Sequence, residues 1–496
     1  MQLETLLGAI AVRHVNGKRD RTVESIAYDS RRVQRNGMFV ALRGEKTDGH
    51  QFIGQAVEKG AAVIVTERDD SAALAGSATC VVVENTRRAL ADLAATFYGR
   101  PAQRLKLAAV TGTNGKTTTT FLIKHLCEKA GLRCGLIGTV RYEIGERVLP
   151  ATRTTPESLD LQELLALIAN AGCRAAAMEV SSHALAQDRT RGIEWDVAVF
   201  TNLSQDHLDF HGTMENYFEA KAKLFTQLAE QEKKQKAIAV INIDDRYGVQ
   251  LIDKIDKKIA VVTYGMGVRA DFRASNYRLE FGGTSYQLDA RGKSYLVRLP
   301  LIGRFNVANS MAALAAASSL GVNLRDAVQN LAKSPQIPGR LEMVPAKRQF
   351  QVFVDYAHTP DALLNALKTL RELGPRRLLV VFGCGGDRDR QKRPLMAEVV
   401  ERNADYAIVT SDNPRKENPA AIIADTEKGF QLNHYEKMVD RTEAIARAVE
   451  LARPRDIVLI AGKGHETYQE FADRTIPFDD IQVARRAIEN HPVEFS

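Results

Sequence analysis

Residues 110–118 read V-T-G-T-N-G-K-T-T, a set of glycines, a lysine and hydroxyls that could hold a polyphosphate. An apolar run, 105–110, leads in, and a helical pattern, 118–130, leads out. In a strand–loop–helix of this kind, Gly112 and Gly115 let backbone N–H groups turn onto an anion at the positive end of a helix. Thr113, Asn114 and Thr118 belong to the same cradle. Lys116 would reach the β- and γ-phosphates, and the hydroxyl of Thr117 would face a divalent cation. The general phosphate-loop pattern has a glycine where this chain has Val110, so the loop is a variant with shorter glycine spacing. The alternative is a Gly/Asn turn before a helix with an exposed lysine, which leaves the lysine and consecutive threonines without a purpose.

Other polar residues also follow apolar runs, at the strand ends where open α/β sheets bind ligands. Glu179 lies inside the otherwise apolar run 175–180, where a carboxylate is costly unless it is paired or on a metal. A Mg²⁺ ligand near the phosphate loop is one reading and a salt bridge is the other. His207 stands in T-N-L-S-Q-D-H-L-D, either as a ligand oriented by Asp206 or Asp209 or as an ordinary loop histidine. Lys221 lies on an amphipathic helix, 217–225, and spacing alone makes it a surface lysine. Arg340 offers a fixed positive charge, and Asp355, His358 and Asp361 surround a helix start at Thr359-Pro360, where part of the pattern is capping. Further on, Arg388, then Asp412-Asn413-Pro414-Arg415, then Gly462 to Glu466, follow three successive apolar runs. Together they describe a rim for a zwitterion, with arginines for carboxylates and Asp412 and Glu466 for an ammonium.

Elements that could position these residues fall into three blocks: 1–100, 101–336 and 337–496. The first has short strands at 38–42, 61–65 and 79–83 and helical stretches at 57–59 and 86–97. The second alternates strand and helix patterns, which predicts a doubly wound parallel sheet, and then changes at 271–300 to short runs that predict a small antiparallel edge. A helix of small residues, 307–320, follows. The third block has five strand patterns separated by helical ones, a Rossmann-like α/β order. It lacks G-x-G-x-x-G after its first strand, which excludes a nicotinamide dinucleotide.

Composition sets bounds. The chain has 496 residues, 45% hydrophobic and 26% charged, with a net charge of +7. No basic block or arginine–aromatic stripe points to nucleic acid, and mild positive charge suits anionic ligands. Five cysteines in no metal or disulfide spacing imply a reducing compartment. The first residues do not resemble a signal peptide, and no apolar run is long enough to span a membrane. The expectation is a cytoplasmic protein.

Nine segments together resemble the Mur ligase family over the whole length. They are T-G-T-N-G-K-T-T (111–118), E-V-S-S-H (179–183), T-N-L-S-x-D-H-L-D (201–209), Y-x-x-A-K (217–221), G-R-F-N-x-x-N (303–309), P-G-R-L-E (338–342), D-Y-A-H-T-P (355–360), D-N-P-R (412–415) and G-K-G-H-E (462–466). The resemblance implies three α/β domains, for a uridine nucleotide, for ATP and for an incoming amino acid. It implies ATP-dependent ligation of meso-diaminopimelate to UDP-N-acetylmuramoyl-L-alanyl-D-glutamate by a monomer, with two Mg²⁺ sites. Under it, Asn309, Arg340, Asp355 and His358 join the ATP site. Tyr28, Ser30, Glu45, Lys46, Thr47, Arg153, Thr154, Thr155, Ser182, Gln187 and Arg189 contact the uridine substrate. Arg388, Asp412, Asn413, Pro414, Arg415, Gly462 and Glu466 contact diaminopimelate. Lys221 becomes an N6-carboxylysine that ligates metal with Thr117, Glu179 and His207, and Lys116, His207 and Lys221 are the catalytic set. Rival readings are a lysine-adding relative, which lacks the arginine of D-N-P-R, a folylpolyglutamate-synthase-like ligase, and a non-catalytic nucleotide-dependent binding module.

Overall fold

The computed structural model describes residues 1–44, 47–231, 234, 236–346 and 348–490. Two compact units are present. One is Met1–Arg273 with Asp289–Lys293 and Ala308–Ala327; the other is Ala274–Leu288 with Ser294–Val307 and Val328–Ser496. No helix among the described residues is long and apolar enough to cross a membrane.

The first unit contains two sheets. In the amino-terminal one the strands Ile26–Ala27, Met38–Val40, Val63–Thr66 and Thr79–Val83 run parallel, and Val12–Asn16 pairs antiparallel with Thr79–Val83. The helix Thr86–Phe97 starts as the sequence predicts, with the Asn85 side chain accepting from Arg88 N at 3.0 Å. It packs on the helix Ser158–Asn170 of the second sheet. That helix places Leu159 in the amino-terminal core and Leu161, Leu164, Leu165 and Ile168 in the central one, so both sheets share it.

The central sheet is the doubly wound one. Six parallel strands lie in the order Cys134–Ile137, Ala175–Glu179, Lys106–Thr111, Val197–Phe200, Ile238–Asn242 and Ala260–Gly265. Lys106–Thr111 is the first of the six in the chain, yet it lies inside the sheet. Chain order therefore reverses around it, which opens a crevice at its carboxyl end. The register brings Glu179 beside Val110 and Phe200 beside Thr111, so the phosphate loop, Glu179 and the T-N-L-S loop leave the same edge together.

Phe272–Glu280, Gly283–Ala290 and Lys293–Leu299 are neighbours in chain order joined by two-residue turns, the antiparallel edge that the sequence predicts. A second antiparallel hairpin, Arg141–Ile144 with Arg147–Pro150, pairs with Cys134–Ile137 and has no counterpart among the sequence expectations. The same holds for Val12–Asn16 and Ala260–Gly265, whose part-exposed residues break both simple alternation and an apolar run.

In the second unit the strand order is Glu342–Val344, Gln351–Asp355, Ile457–Ala461, Leu378–Cys384, Tyr406–Ser411 and Tyr435–Met438. All pairings are parallel except the first. Leu378–Cys384 and Ile457–Ala461 are buried throughout, because separate apolar cores cover the two faces of the sheet. The helix Pro360–Glu372 has the cap legible in its sequence, Thr359 accepting from Ala362 N at 3.3 Å.

The loop after Leu378–Cys384 is closed by Glu417, which accepts from Asp387 N at 2.7 Å, from buried Arg393 at 2.8 Å and from Arg390 at 2.8 Å. The hydrogen bond from Arg393 and that from the Asp387 amide hold the Glu417 carboxyl down to about 2, against an ordinary value of 4.5. As pH falls, the unfolded chain takes up this proton first. The contribution is complete above 4.5 and is lost as pH falls toward 2. Glu417→Gln should flatten that part of the acid limb in denaturation curves; an unchanged slope would contradict the assignment.

Candidate active site

The phosphate loop is held from the side by the T-N-L-S segment. Thr113 N donates to Asn202 O at 2.9 Å, Asn114 N to Asn202 Oδ1 at 3.0 Å and Thr201 Oγ1 to Asn114 O at 2.6 Å. Gly112, at φ 147°, leaves no space for a side chain, since a Cβ would lie 1.9 Å from Thr201 Oγ1. Gly115, at φ 87°, is closed in the same way by Asn309, whose Oδ1 lies 2.3 Å from that position. The structure thus puts Asn309 against the loop. Lys116 starts the helix Lys116–Lys129, and its ammonium donates to Gly112 O at 2.9 Å and to Thr113 O at 2.7 Å.

Lys221 is not a surface lysine. The helix Met214–Thr226, capped by Thr213, buries it to 1% exposure together with Tyr217 and Phe225. Its Nζ donates to the same Gly112 O at 2.9 Å and stands over the Tyr217 ring at 4.6 Å. Burial, and then the Lys116 charge, push the Lys221 amine well below its ordinary pKa. Around this helix the rings of His183 and His207 meet at 4.8 Å, and His211 stacks on Tyr217 at 5.0 Å. His207 lies 3.4 Å from Asp206, one of the two orienting residues expected. His211 reaches Ser182 Oγ at 2.9 Å, and burial with the nearby His183 pushes it down to about 4, so it is neutral at physiological pH.

Glu179 is fully buried. Its carboxylate accepts from Thr117 Oγ1 at 3.1 Å, Thr139 N at 2.8 Å and Thr139 Oγ1 at 3.0 Å. Hydroxyls and an amide therefore hold it among the described residues, where the salt-bridge reading required a cation. From Glu179 a chain of contacts runs outward. Thr139 meets Thr154 at 3.0 Å, Thr155 Oγ1 donates to Glu179 O at 2.9 Å, and Arg189 donates to Thr155 O at 3.0 Å and to Gln187 at 2.6 Å. Arg153 reaches Glu157 at 3.8 Å. In the amino-terminal sheet, Ser30 donates to Gln55 at 2.6 Å and Tyr28 to Asp160 at 2.5 Å, while Thr47 O accepts from Gly44 N at 2.9 Å. Glu45 and Lys46 lie outside the described residues.

In the second unit Asp355 accepts from Leu341 N at 2.6 Å and Ala357 N at 2.8 Å, and burial raises its pKa while Arg340 opposes the rise. Arg340 stacks over Tyr356 at 4.9 Å, and His358 Nδ1 lies 2.7 Å from Tyr356 O. The register of Asp355 with Ala461 and of Cys384 with Ser411 sends the polar segments out from one edge. There Arg415, at φ 51°, donates to Gly386 O at 2.9 Å and pairs with Glu470 at 3.1 Å. Asn413 donates to Glu466 at 2.8 Å, and buried Lys463 reaches Asn413 at 3.0 Å, Glu466 at 3.1 Å and Asp412 at 3.9 Å. Asp412 and Glu466, expected to receive an ammonium, thus already face one from the chain itself. Arg388 is exposed and donates to Asp387 O at 3.1 Å, while Gly462, at φ 118°, and buried Pro414 shape the rim.

Sequence reasoning missed Thr139, His211, Tyr217, Glu157, Lys463 and Glu470. Thr139, His211, Glu157 and Glu470 stand in no quoted motif, whereas Tyr217 and Lys463 lie inside the Y-x-x-A-K and G-K-G-H-E segments, where no role was read for them. Among the described residues no three His, Cys, Asp or Glu side chains are grouped to hold a metal. A Mg²⁺ ion that keeps waters and takes substrate phosphates needs only one or two protein oxygens. The buried Glu179 carboxylate beside the Thr117 hydroxyl fits that requirement.

Comparison with known proteins gives one answer along the chain. Residues 22–98 match the description "Mur ligase family, catalytic domain", 110–317 "Mur ligase middle domain" and 339–464 "Mur ligase, glutamate ligase domain". A UDP-N-acetylmuramoyl-L-alanyl-D-glutamate–2,6-diaminopimelate ligase of Syntrophomonas wolfei is 45% identical over 98% of both chains. One of the same name from Geobacillus kaustophilus is 47% identical over 98% of this chain and 99% of its own. A solved structure of a ligase with that name is 36% identical, covers 99% of each chain and superposes with a TM-score of 0.71. With its phosphate loop, its strand-end segments and these full-length likenesses, the chain belongs to the Mur ligase family.

Proposed function

We propose that this protein is an ATP-dependent ligase that joins meso-diaminopimelate to the D-glutamyl γ-carboxylate of UDP-N-acetylmuramoyl-L-alanyl-D-glutamate, acting as a cytoplasmic monomer. The observation that carries the reading is the pair of lysines on one phosphate-loop carbonyl, in a chain that shares 45% identity over 98% of its length with a ligase of that name. We assign residues 1–100 to the uridine nucleotide, 101–336 to ATP and 337–496 to the amino acid.

The γ-carboxylate attacks the γ-phosphorus of ATP, giving an acyl phosphate and ADP. The amine of diaminopimelate then attacks the acyl carbon; an amide forms, inorganic phosphate leaves and the amine loses a proton. Lys116 and the N–H groups of 112–118 hold the transferring phosphoryl group and receive its developing charge. Asn309 fixes the loop from outside. Thr117, Glu179, His207 and the carbamate form of Lys221 would hold two Mg²⁺ ions, which neutralise phosphate charge when bound. A buried amine beside a second ammonium is held toward its neutral form, the form that adds CO₂ to become a carbamate. That change places an anion beside the Lys116 ammonium.

On the rim, Arg415 recognises the distal carboxylate of diaminopimelate. Lysine has none, so a bound lysine would leave the guanidinium without its anion. The amino-acid dependence of phosphate release tests the function. We expect meso-diaminopimelate to exceed L-lysine by about three powers of ten in kcat/KM. Lysine as the better substrate would overturn the assignment. Arg415→Ala should raise KM for diaminopimelate at least about tenfold and leave that for ATP nearly unchanged, as loss of a charged hydrogen bond requires. Equal losses for both would contradict a recognition role.

Lys221→Ala should lower kcat by about 10²-fold or more, without rescue by bicarbonate. Carbon-13 NMR of the protein equilibrated with labelled bicarbonate should show a carbamate signal in the wild type that the variant lacks. A wild type without that signal would remove the carbamate.

A further inference from the structure

The turn after the helix Ser182–Ala186 is fastened at one residue, Asp188. Its backbone lies at φ 54°, in the left-handed region that Asp and Asn adopt more readily than most side-chain-bearing residues. Its carboxylate, 11% exposed, is shared between cations from two helices. Lys223 donates to one oxygen, and Arg88 Nε donates to the other at 3.2 Å. Lys223 comes from the helix Met214–Thr226, two residues after Lys221, and also donates to Leu185 O at 3.1 Å. Arg88 comes from the helix Thr86–Phe97, beside the amino-terminal sheet. That helix meets the turn again where Asp92 pairs with Arg191 at 2.9 Å, and Arg191 N donates to Asp188 O at 3.1 Å.

The residues on either side of Asp188 point toward the phosphate loop. Arg189 donates to Gln187 at 2.6 Å and to Thr155 O at 3.0 Å, and Thr155 donates to Glu179 O. Glu179 accepts from Thr117 of the loop, and Lys221 donates to Gly112 O of the same loop. The contacts therefore form a closed circuit within the first unit, from Lys221 through Lys223 and Asp188 to Arg189, then through Thr155 to Glu179. The Asp188 carboxylate is the link that closes it. Without that carboxylate two cations would face each other with no anion between them, and the turn would lose its hold on both helices. In the ligase reading the attacking carboxylate has to reach the phosphate loop, so the acid substrate ends beside this circuit.

We infer that Asp188 is a positioning residue for the uridine-linked acid substrate: its ion pairs with Lys223 and Arg88 hold Gln187 and Arg189 in register with the phosphate loop. The inference rests on the ligase reading above.

Steady-state kinetics with each of the three substrates varied in turn tests it. Asp188→Asn and Asp188→Gly both accept the left-handed backbone and both lack the charge. Each should raise KM for UDP-N-acetylmuramoyl-L-alanyl-D-glutamate about tenfold, as loss of a charged hydrogen bond requires, with KM for ATP and for diaminopimelate nearly unchanged. Adding Lys223→Gln to Asp188→Asn should deepen the loss little, because the two residues act through one contact. A wild-type KM in either Asp188 variant would overturn the inference. So would an equal rise for all three substrates, the mark of a merely structural role, or losses at Asp188 and Lys223 that add in full. A wild type that consumes no ATP with these substrates would overturn the ligase reading itself, and this inference with it.

Discussion

Two lysines, far apart in the chain, donate to the same carbonyl oxygen, that of Gly112. Much of the first unit is arranged around that convergence. Lys116 comes from the helix that follows the loop, and Lys221 from a helix capped by Thr213 and anchored by Tyr217, Phe218 and Phe225. Burial, and then the charge of Lys116, push the Lys221 amine down. The arrangement favours what removes positive charge or adds negative charge, which under the proposed function is a triphosphate on Lys116 and a carbamate on Lys221. On the other side of the loop, Glu179 is held by hydroxyls and an amide among the described residues, which leaves its charge without a cation there.

The same geometric rule operates in the second unit. Parallel strands end in register, and the segments leaving their ends form a rim. Its precision comes from contacts within the chain. Arg441 and Asp480 are wholly buried and bonded at 2.7 and 2.8 Å, and Arg441 also donates to Ala461 O at 3.0 Å. The final helix is thereby fastened to the strand end that carries Gly462 and Lys463. Breaking such a pair by removing one partner costs about 3–5 kcal/mol, because the other charge stays buried. Lys463 likewise holds Asn413 and Glu466 in place. A rim ordered in this way meets an amino acid with less conformational entropy to lose.

What was legible in the sequence was local. The phosphate loop is one contiguous segment, and the helix start at Thr359-Pro360 has its cap beside it. The fully buried strands read as apolar runs. Part-exposed Val12–Asn16 did not, because neither alternation nor an apolar run marks it, and the alternation of Arg141–Ile144 spans only four residues. The burial of Lys221 was in principle visible. It stands four residues after Tyr217 and four before Phe225, on the face that the helix buries. Reading it as a surface residue let residue type override position. Asp188 and Arg88 were beyond reach, since their meeting depends on the packing of segments 100 residues apart.

The central claim is that the phosphate loop activates a carboxylate by phosphoryl transfer. The direct measurement uses UDP-N-acetylmuramoyl-L-alanyl-D-glutamate with oxygen-18 in its γ-carboxylate and follows the label through one turnover with ATP and diaminopimelate. The account predicts that one labelled oxygen leaves in inorganic phosphate, because the acyl–oxygen bond breaks when the amide forms. Phosphate free of label, with the amide formed all the same, would contradict it.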